Sequence, residues 1–413
     1  MDKNIGMREL RVLNRQNIIL NLLLNRNEMS KYDIKKASQF SMTTVIATIE
    51  ELLKSGYIVR TGEGQSTGGR RPVYYAVDKS GKFFIGLEFN TDNMHGVLMD
   101  MGGQTHVLLR EDIKKENRNI SMILEQLGNM LQKLLSHLPS NGELLGVGVG
   151  APGFVDAQNG RILYYAHLPD CENIDVRDFL KNQFKDAEIY MDNSINTMCY
   201  AYTGESVCDT VGELLLISVR SGVGMGCLFN NKIYRGATGA AGEIGHNKVS
   251  NSEELCSCGK KGCLEAEISH DAIIKKMRSK MQENPEYLSE NRGQNPTIEL
   301  FVQSVQKGNA VSLQILDEVC YFLSQTIIQL VNTINPSNIV LSGSLCGCGE
   351  ALLSRIESAV LDGGYPYNTN QLKISLSKYG AEIGALGAAK FAFHNKLNPP
   401  DIIDLAFNME NNI

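Results

Sequence analysis

One short stretch, residues 242–269, constrains this chain more than any other because it brings four potential metal ligands close together. These ligands are His246, Cys256, Cys258 and Cys263, set among glycines and polar residues. Three thiolates and one imidazole complete a tetrahedral zinc site, and four protein ligands leave no open position for catalysis. The alternative is a loop with three reduced thiols and a surface histidine. The clustering favours a structural zinc ion.

The same stretch carries a resemblance to a known family. It reads G-E-I-G-H at residues 242–246 and C-S-C-G-K-K-G-C-L-E at residues 256–265. This pattern resembles the signature of the ROK family, which takes its name from repressors, open reading frames and sugar kinases. The resemblance extends over nearly the whole chain. It implies a two-lobed, actin-like ATPase fold of the hexokinase kind, with a sugar in the cleft.

Length and charge divide the chain unevenly. A chain of 413 residues predicts two or three domains. Residues 1–78 carry a net charge of +4 and the remaining residues a net charge of −10. A basic head on an acidic body suggests that the head meets a polyanion, although a solvated helix face can carry as much charge.

Cysteine usage and hydropathy bear on the compartment. The chain has ten cysteines in part at metal-type spacing, and its first residues do not begin a signal peptide. No apolar run approaches the length of a membrane span. These features favour a reducing cytoplasm over a disulfide framework.

The head, residues 1–78, has the pattern of a winged helix-turn-helix. Apolar spacing predicts a first helix over residues 8–24. Ser30 and Asp33 form a capping box for a second helix, and Ser41 caps a third that Gly56 ends. Two short strands, residues 57–60 and 73–77, follow around a turn-rich segment.

In a winged helix-turn-helix the third helix enters the major groove of DNA. Threonine can contact several base edges, and paired arginines on a glycine-flanked loop suit phosphates or a narrow minor groove. The predicted DNA contacts are Met42, Thr43, Thr44, Thr48, Arg70 and Arg71. Three-helix units also serve in protein interaction or dimerisation. The segment S-T-G-G-R-R-P resembles the wing and linker of ROK repressors, which favours a double-stranded DNA operator.

The body alternates predicted strands and helices, which indicates an α/β fold. Strands are predicted within residues 83–98, 144–149, 214–219, 339–342 and 372–376. Helices are predicted over residues 120–138 and 310–334. The resemblance implies a first lobe over residues 79–192, a second over 193–380, and a C-terminal helix near 381–413 that packs back on the first lobe.

The resemblance also raises the question of kinase activity. ROK kinases have a D-x-G-G-T loop for ATP phosphates, whereas residues 88–92 here read E-F-N-T-D and lack the glycines. The family's catalytic motif is close to E-N-D-A-N, and residues 192–196 read D-N-S-I-N. Ser194 therefore stands where the general base is expected, and a serine hydroxyl does not act as that base unaided. A shift of one residue in the comparison would bring Asp192 into play.

The predicted sugar site is better preserved. The resemblance places Asn193, Glu243, His246 and Glu265 around sugar hydroxyls, with His167 where the family often has asparagine. Carboxylates and amides suit a polyol because they make several hydrogen bonds. His246 could bind zinc through one ring nitrogen and a hydroxyl through the other.

These features predict a cytoplasmic transcriptional repressor, a homodimer or higher homo-oligomer, that responds to a sugar or sugar phosphate and holds a structural zinc ion. One alternative is an ATP-dependent sugar kinase with an accessory DNA-binding head. Another is a regulator that a partner protein controls.

Overall fold

The computed structural model describes residues 7–63, 71–114, 116, 118–168, 170–184, 187–203, 213–230, 232–284, 287 and 295–397. A small unit of three helices and three short strands comes first. Two larger lobes follow, and each is built on a five-stranded sheet. No helix in the described part of the chain is long and apolar enough to cross a membrane.

The head contains α1 (Met7–Arg26), β1 (Met29–Ser30), α2 (Lys31–Ser38), α3 (Met42–Lys54), β2 (Ile58–Glu63) and β3 (Val73–Val77). Both predicted helix starts are confirmed, since the Ser30 hydroxyl accepts from the Asp33 N–H and the Ser41 hydroxyl from the Thr44 N–H. Gly56, at φ 68°, follows the end of α3 as predicted. The strands pair in the order β1-β3-β2, which gives a winged helix-turn-helix.

The first lobe contains β4 (Lys82–Phe89), β5 (Asn93–Asp100), β6 (Thr105–Asp112), α4 (Ile120–Ser136), β7 (Glu143–Ala151), β8 (Phe154–Asp156), β9 (Arg161–Tyr164), β10 (Glu172–Asp175), α5 (Val176–Gln183) and β11 (Glu188–Asn193). The second lobe and the C-terminal helix contain α6 (Ser194–Tyr200), β12 (Leu214–Val219), β13 (Val223–Phe229), β14 (Lys232–Ile233), α7 (Leu264–Ile268), α8 (His270–Glu283), α9 (Ile298–Gln306), α10 (Ala310–Ile334), β15 (Asn338–Gly343), α11 (Glu350–Gly363), α12 (Pro366–Thr369), β16 (Lys373–Leu376) and α13 (Ile383–Leu397).

The two large sheets share one plan. Their strand orders are β6-β5-β4-β7-β11 and β14-β13-β12-β15-β16. In each sheet the first three strands run antiparallel and the last two join in parallel. β4 and β12 are therefore equivalent central strands, and their carboxyl ends meet at the cleft between the lobes. The predicted α/β fold of two actin-like lobes is confirmed.

The central strand β4 is buried along its whole length because both faces of its sheet are covered. On one face Ile85 and Leu87 join the core that includes α4. On the other face α13 lies so close that a Cβ at Gly86 would come within 1.9 Å of the Ala385 carbonyl oxygen. The C-terminal helix therefore packs on the first lobe over its described residues; residues 398–413 lie outside them.

Candidate functional site

A cavity of about 230 Å³ lies between the two lobes, at the carboxyl ends of β4 and β7 and the start of α6. It is lined by all the residues that the sequence predicts as sugar contacts, namely Asn193, Glu243, His246, Glu265 and His167. The predicted residues come from distant parts of the chain, and the fold brings them to one place.

Asn193 is held by its own backbone surroundings. Its side-chain N–H donates to the Gly153 carbonyl over 2.7 Å, and its side-chain oxygen accepts from the Ile195 N–H over 2.8 Å. The second bond caps α6 at its N-terminus. The Asn193 amide is therefore fixed at the cavity wall by the turn that also presents Ser194.

Asp192 points away from this cavity. Its side chain is 2 % exposed, and one carboxylate oxygen accepts from the Arg235 guanidinium at 2.6 and 2.9 Å. The other oxygen accepts from the Asn196 amide at 3.0 Å. The position facing the cavity is that of Ser194. Asp192 is therefore a buried structural carboxylate, already committed to Arg235 and Asn196.

Two carboxylates face the cavity. Glu265 is buried and accepts from the Val223 N–H over 3.2 Å and from the Ser257 hydroxyl over 2.6 Å. Glu243 is half-buried, and burial raises its pKa above the ordinary value; neighbouring His246 opposes this rise and the charge of Glu265 adds to it. Among the described residues neither carboxylate pairs with a lysine or arginine. Both remain able to accept hydrogen bonds from hydroxyl groups.

The four predicted zinc ligands converge. The ligand atoms of His246, Cys256, Cys258 and Cys263 all lie within 4.8 Å of one another. The Cys256 sulfur is 3.4 Å from His246 Nδ1, and the Cys258 and Cys263 sulfurs are 3.8 Å apart. Bonds of about 2.3 Å to sulfur and 2.1 Å to nitrogen place tetrahedral ligands roughly 3.5–3.8 Å apart. These two distances match that spacing, so the four side chains are suitably placed to hold a zinc ion.

The zinc cluster and the cavity share residues. His246 turns Nδ1 toward the cysteines, while Nε2 lies 3.9 Å from the Glu243 carboxylate in the cavity. Ser257, between two of the cysteines, donates to Glu265. The double role that the sequence predicts for His246 stays a prediction, although its two ring nitrogens face the cysteines and the cavity. Sequence reasoning missed Ser257, whose position inside the C-x-C segment was the available signal.

A buried ion pair that sequence reasoning missed closes the floor of the cavity. Arg220, directly after β12, donates to the Glu88 carboxylate on β4 over 2.8 Å. Glu88 is 1 % exposed, and its second oxygen lies 3.7 Å from His95 Nδ1. Burial alone would raise the pKa of Glu88, but Arg220 and His95 hold it below the ordinary value. The pair ties the two lobes together through their equivalent central strands.

A second cleft of about 750 Å³ lies on the other side of Arg220. The turn at residues 90–93 closes on itself, since the Asn90 side chain accepts from the N–H groups of Asp92 and Asn93 at 2.7 and 3.0 Å. Asp92 pairs with Arg118 at the rim. The place that the resemblance gives to ATP phosphates thus carries a carboxylate and a side-chain ion pair.

The glycine-rich residues 222–226 form a turn and the start of β13. A Cβ at Gly226 would lie 2.4 Å from the Cys199 sulfur, and one at Gly224 would lie 2.4 Å from Ile195. These glycines therefore let α6 pack closely on β13, which is a structural use of the motif.

One predicted DNA contact is wrong. Thr48 is 4 % exposed and its hydroxyl donates to the Thr44 carbonyl of its own helix over 2.9 Å. With Val45 and Ile49 it falls on the buried stripe of α3, because residues three and four apart share a helix face. Thr43 is exposed on α3.

Three of the remaining predicted DNA contacts lie within the described residues. Met42 and Thr44 are half-buried at the start of α3, and the Thr44 hydroxyl lies 2.9 Å from that of Ser41. Arg71 is exposed, whereas Arg70 lies outside the described residues.

The sequence profile of the ROK family matches residues 84–395, which is most of the chain. The chain belongs to the ROK family. A 28 % identical relative is the xylose repressor of Caldicellulosiruptor bescii, which aligns over 93 % of this chain and 96 % of its own length. The Escherichia coli K12 DNA-binding transcriptional dual regulator NagC is 26 % identical over 89 % of this chain and 90 % of its own.

Solved ROK structures agree with the fold. A ROK transcriptional regulator described as a homologue of the E. coli MLC protein covers 96 % of this chain, at a TM-score of 0.80 and 18 % identity. A ROK glucokinase from Streptomyces griseus, solved with glucose and AMPPNP, covers 75 % at a TM-score of 0.65 and 20 % identity. The larger coverage of the regulator shows that its fold has a counterpart for nearly the whole chain.

Proposed function

We propose that this ROK protein is a sugar-responsive transcriptional repressor that does not transfer phosphate. The observation that carries the proposal is the set of residues that lines the sugar cavity. Carboxylates that suit a sugar are kept there, while the Glu88–Arg220 pair occupies the floor and Ser194 stands in place of a base. Relatives that align over nearly the whole chain are named repressors, which supports the same function.

The charge of the cavity indicates an uncharged sugar as the effector. Glu243 and Glu265 face the ligand space, and the Arg220 charge is already offset by Glu88. A phosphate or carboxylate group would meet two acidic side chains there and would be repelled. Hydroxyl groups, in contrast, would donate to those carboxylates. We therefore propose a neutral monosaccharide as the ligand in preference to a sugar phosphate.

In this proposal zinc has a structural role. His246, Cys256, Cys258 and Cys263 would hold the ion, and a closed set of four ligands supplies rigidity without a reactive position. The loop that carries these ligands also orients two groups at the cavity. Ser257 donates to Glu265, and the His246 ring is turned toward Glu243. Loss of the ion should therefore disturb sugar binding before it disturbs the head.

The head would contact a double-stranded DNA operator through α3 and the wing. Paired half-sites one helical turn apart are the usual targets of dimeric helix-turn-helix proteins, so we propose a homodimer. A sugar releases the operator only to the extent that it binds the DNA-free conformation more tightly.

The test has two arms. The full-length protein first selects binding sites from a randomised DNA duplex pool, and operator affinity is then titrated with D-xylose, N-acetylglucosamine and the phosphate esters of both. Release by a free sugar and weaker release by its phosphate ester support the proposal. In the second arm the protein is incubated with the same sugars and MgATP, and phosphorylated sugar is measured. Turnover would favour the kinase alternative, and DNA binding that none of the sugars affects would favour control by a partner protein.

A further inference from the structure

The C-terminal helix α13 contacts the sugar cavity's supporting residues at one end and the core of the DNA-binding head at the other. We propose that α13 transmits the effect of sugar binding from the cavity to the head. This inference rests on the proposed function, since it names the element through which that regulation acts.

At the cavity end α13 touches two cavity-lining elements without any gap. A Cβ added at Gly384 would lie 2.5 Å from Glu88 Cγ, and one at Gly387 would lie 2.2 Å from the Thr197 carbonyl oxygen. Glu88 lines the cavity itself, and Thr197 lies on α6, whose first residues line it. A shift of Glu88 or of α6 on sugar binding would therefore press directly on α13.

At the head end α13 contributes to the hydrophobic core of the DNA-binding head. Leu397 is 3 % exposed and belongs to the same apolar cluster as Ile19, Leu20 and Ile58 of the head. Phe393, one turn earlier, packs against this cluster and also against Phe84 of the first lobe, with ring centroids 5.3 Å apart. The last turn of α13 is therefore part of the head's hydrophobic core as well as of the body's.

Between its two ends α13 is packed tightly enough to move as one piece. Cβ atoms at Gly86 and Gly148 would come within 1.9 and 1.8 Å of the carbonyl oxygens of Ala385 and Ala388. The helix has 15 residues, so it spans about 22 Å. Closely packed interfaces move between discrete arrangements and do not deform continuously. A displacement at Gly384 would consequently appear at Leu397.

A second route between body and head has to be separated from α13. The Lys82 ammonium group lies 4.6 Å from the centre of the Tyr57 ring and also pairs with Glu143. Tyr57 lies three residues beyond the end of α3, so this contact could carry a signal of its own. Coupling that survives disruption of the α13 contact would point to this route.

The test compares two identical truncations in the same core. Leu397→Ala removes the contribution of α13, and Leu20→Ala removes a head residue of α1 that is 2 % exposed. For each full-length protein the operator affinity is measured with and without saturating sugar, using D-xylose or N-acetylglucosamine according to which releases the wild type. Sugar affinity is measured separately on DNA-free protein by calorimetry.

The operator affinity without sugar divided by the operator affinity with sugar gives a ratio, and we expect Leu397→Ala to reduce this ratio at least fivefold. The affinity of the DNA-free variant for sugar should stay within twofold of wild type. Leu20→Ala should retain the ratio within twofold. In the wild type the operator should lower sugar affinity by the same factor by which sugar lowers operator affinity, because linkage is reciprocal. Leu397→Met, which keeps the volume, should retain the ratio.

A ratio in Leu397→Ala equal to that of wild type would overturn the role of α13, as would an equal loss in both truncated proteins. If circular dichroism shows that Leu397→Ala does not fold, Phe393→Leu replaces it under the same criteria. A wild-type protein that no sugar releases from DNA would refute the proposed function itself. A released wild type with unaltered coupling in the variants would refute only this inference.

Discussion

The buried Glu88–Arg220 pair allows the sharpest prediction about stability. Glu88→Gln keeps the shape of the side chain and removes its charge. At 2.8 Å and an effective dielectric constant near 20, the gross attraction is about 6 kcal/mol. Desolvation offsets part of this, and breaking a buried pair costs about 3–5 kcal/mol. Because the Arg220 side chain is 21 % exposed and can regain water, we expect a loss of about 3 kcal/mol.

The measurement is urea unfolding of wild type and variant at neutral pH, monitored by the near-UV circular dichroism signal of the two lobes. Asp112→Asn is the matched control, since the Arg110–Asp112 pair has side chains 58 % and 75 % exposed. An exposed pair contributes little, so the control should stay within about 0.5 kcal/mol of wild type. A loss below about 1 kcal/mol in Glu88→Gln would refute the reasoning.

The same pair predicts a pH dependence with a defined sign. The pKa of Glu88 is lower in the folded protein than its ordinary value of 4.5, so folding favours the ionised carboxylate. The stability it contributes is fully present above pH 4.5 and is lost as the pH falls through the lower folded value. The difference between wild type and Glu88→Gln should thus be constant near neutrality and shrink below pH 4.5. A difference that grows on acidification would contradict the assignment.

Four further predictions concern the sites themselves. Cys263→Ser should abolish stoichiometric zinc in elemental analysis and weaken sugar binding about 10–100-fold in calorimetry, because the loop that orients Glu265 loses its anchor, while operator binding persists. Glu265→Gln should weaken sugar binding about tenfold or more without affecting zinc content, since a hydrogen-bonding charge is lost. Thr48→Val should leave operator affinity within twofold in an electrophoretic mobility assay, whereas Thr43→Val on the exposed face should weaken it. Ser194→Asp alone should yield no phosphoryl transfer from MgATP to D-xylose, because the Glu88–Arg220 pair still closes the cavity floor; turnover in that variant would show an open phosphate path.

Local features of the sequence predicted their structure well. The zinc ligands follow one another within a single loop, so their spacing alone was informative, and the cluster forms as predicted. The helix starts at Ser30 and Ser41 depend on side chains three residues from their backbone partners. Such contacts are decided over one helical turn, which is the range that a sequence pattern reports.

Contacts between distant segments were not predictable in the same way. Glu88 and Arg220 are 132 residues apart, and the sequence around either residue does not indicate the other as its partner. The misplaced Thr48 has a different cause, since its spacing from Val45, Ile49 and Leu52 already marks the buried stripe. Residue type suggested a polar face there, but a threonine hydroxyl can be satisfied by its own helix and so tolerates burial.

The repeated plan of the two sheets explains why one ion pair can matter to both clefts. β4 and β12 occupy equivalent central positions, and both end at the interface between the lobes. A glutamate near the end of one strand and an arginine after the other are brought together by this equivalence. A buried carboxylate without its cation would be costly, so Glu88 is tolerated at this position because Arg220 is present. The feature that separates the sugar cavity from the second cleft is thus also the one that joins the lobes, and any ligand that moves the lobes apart must act against it.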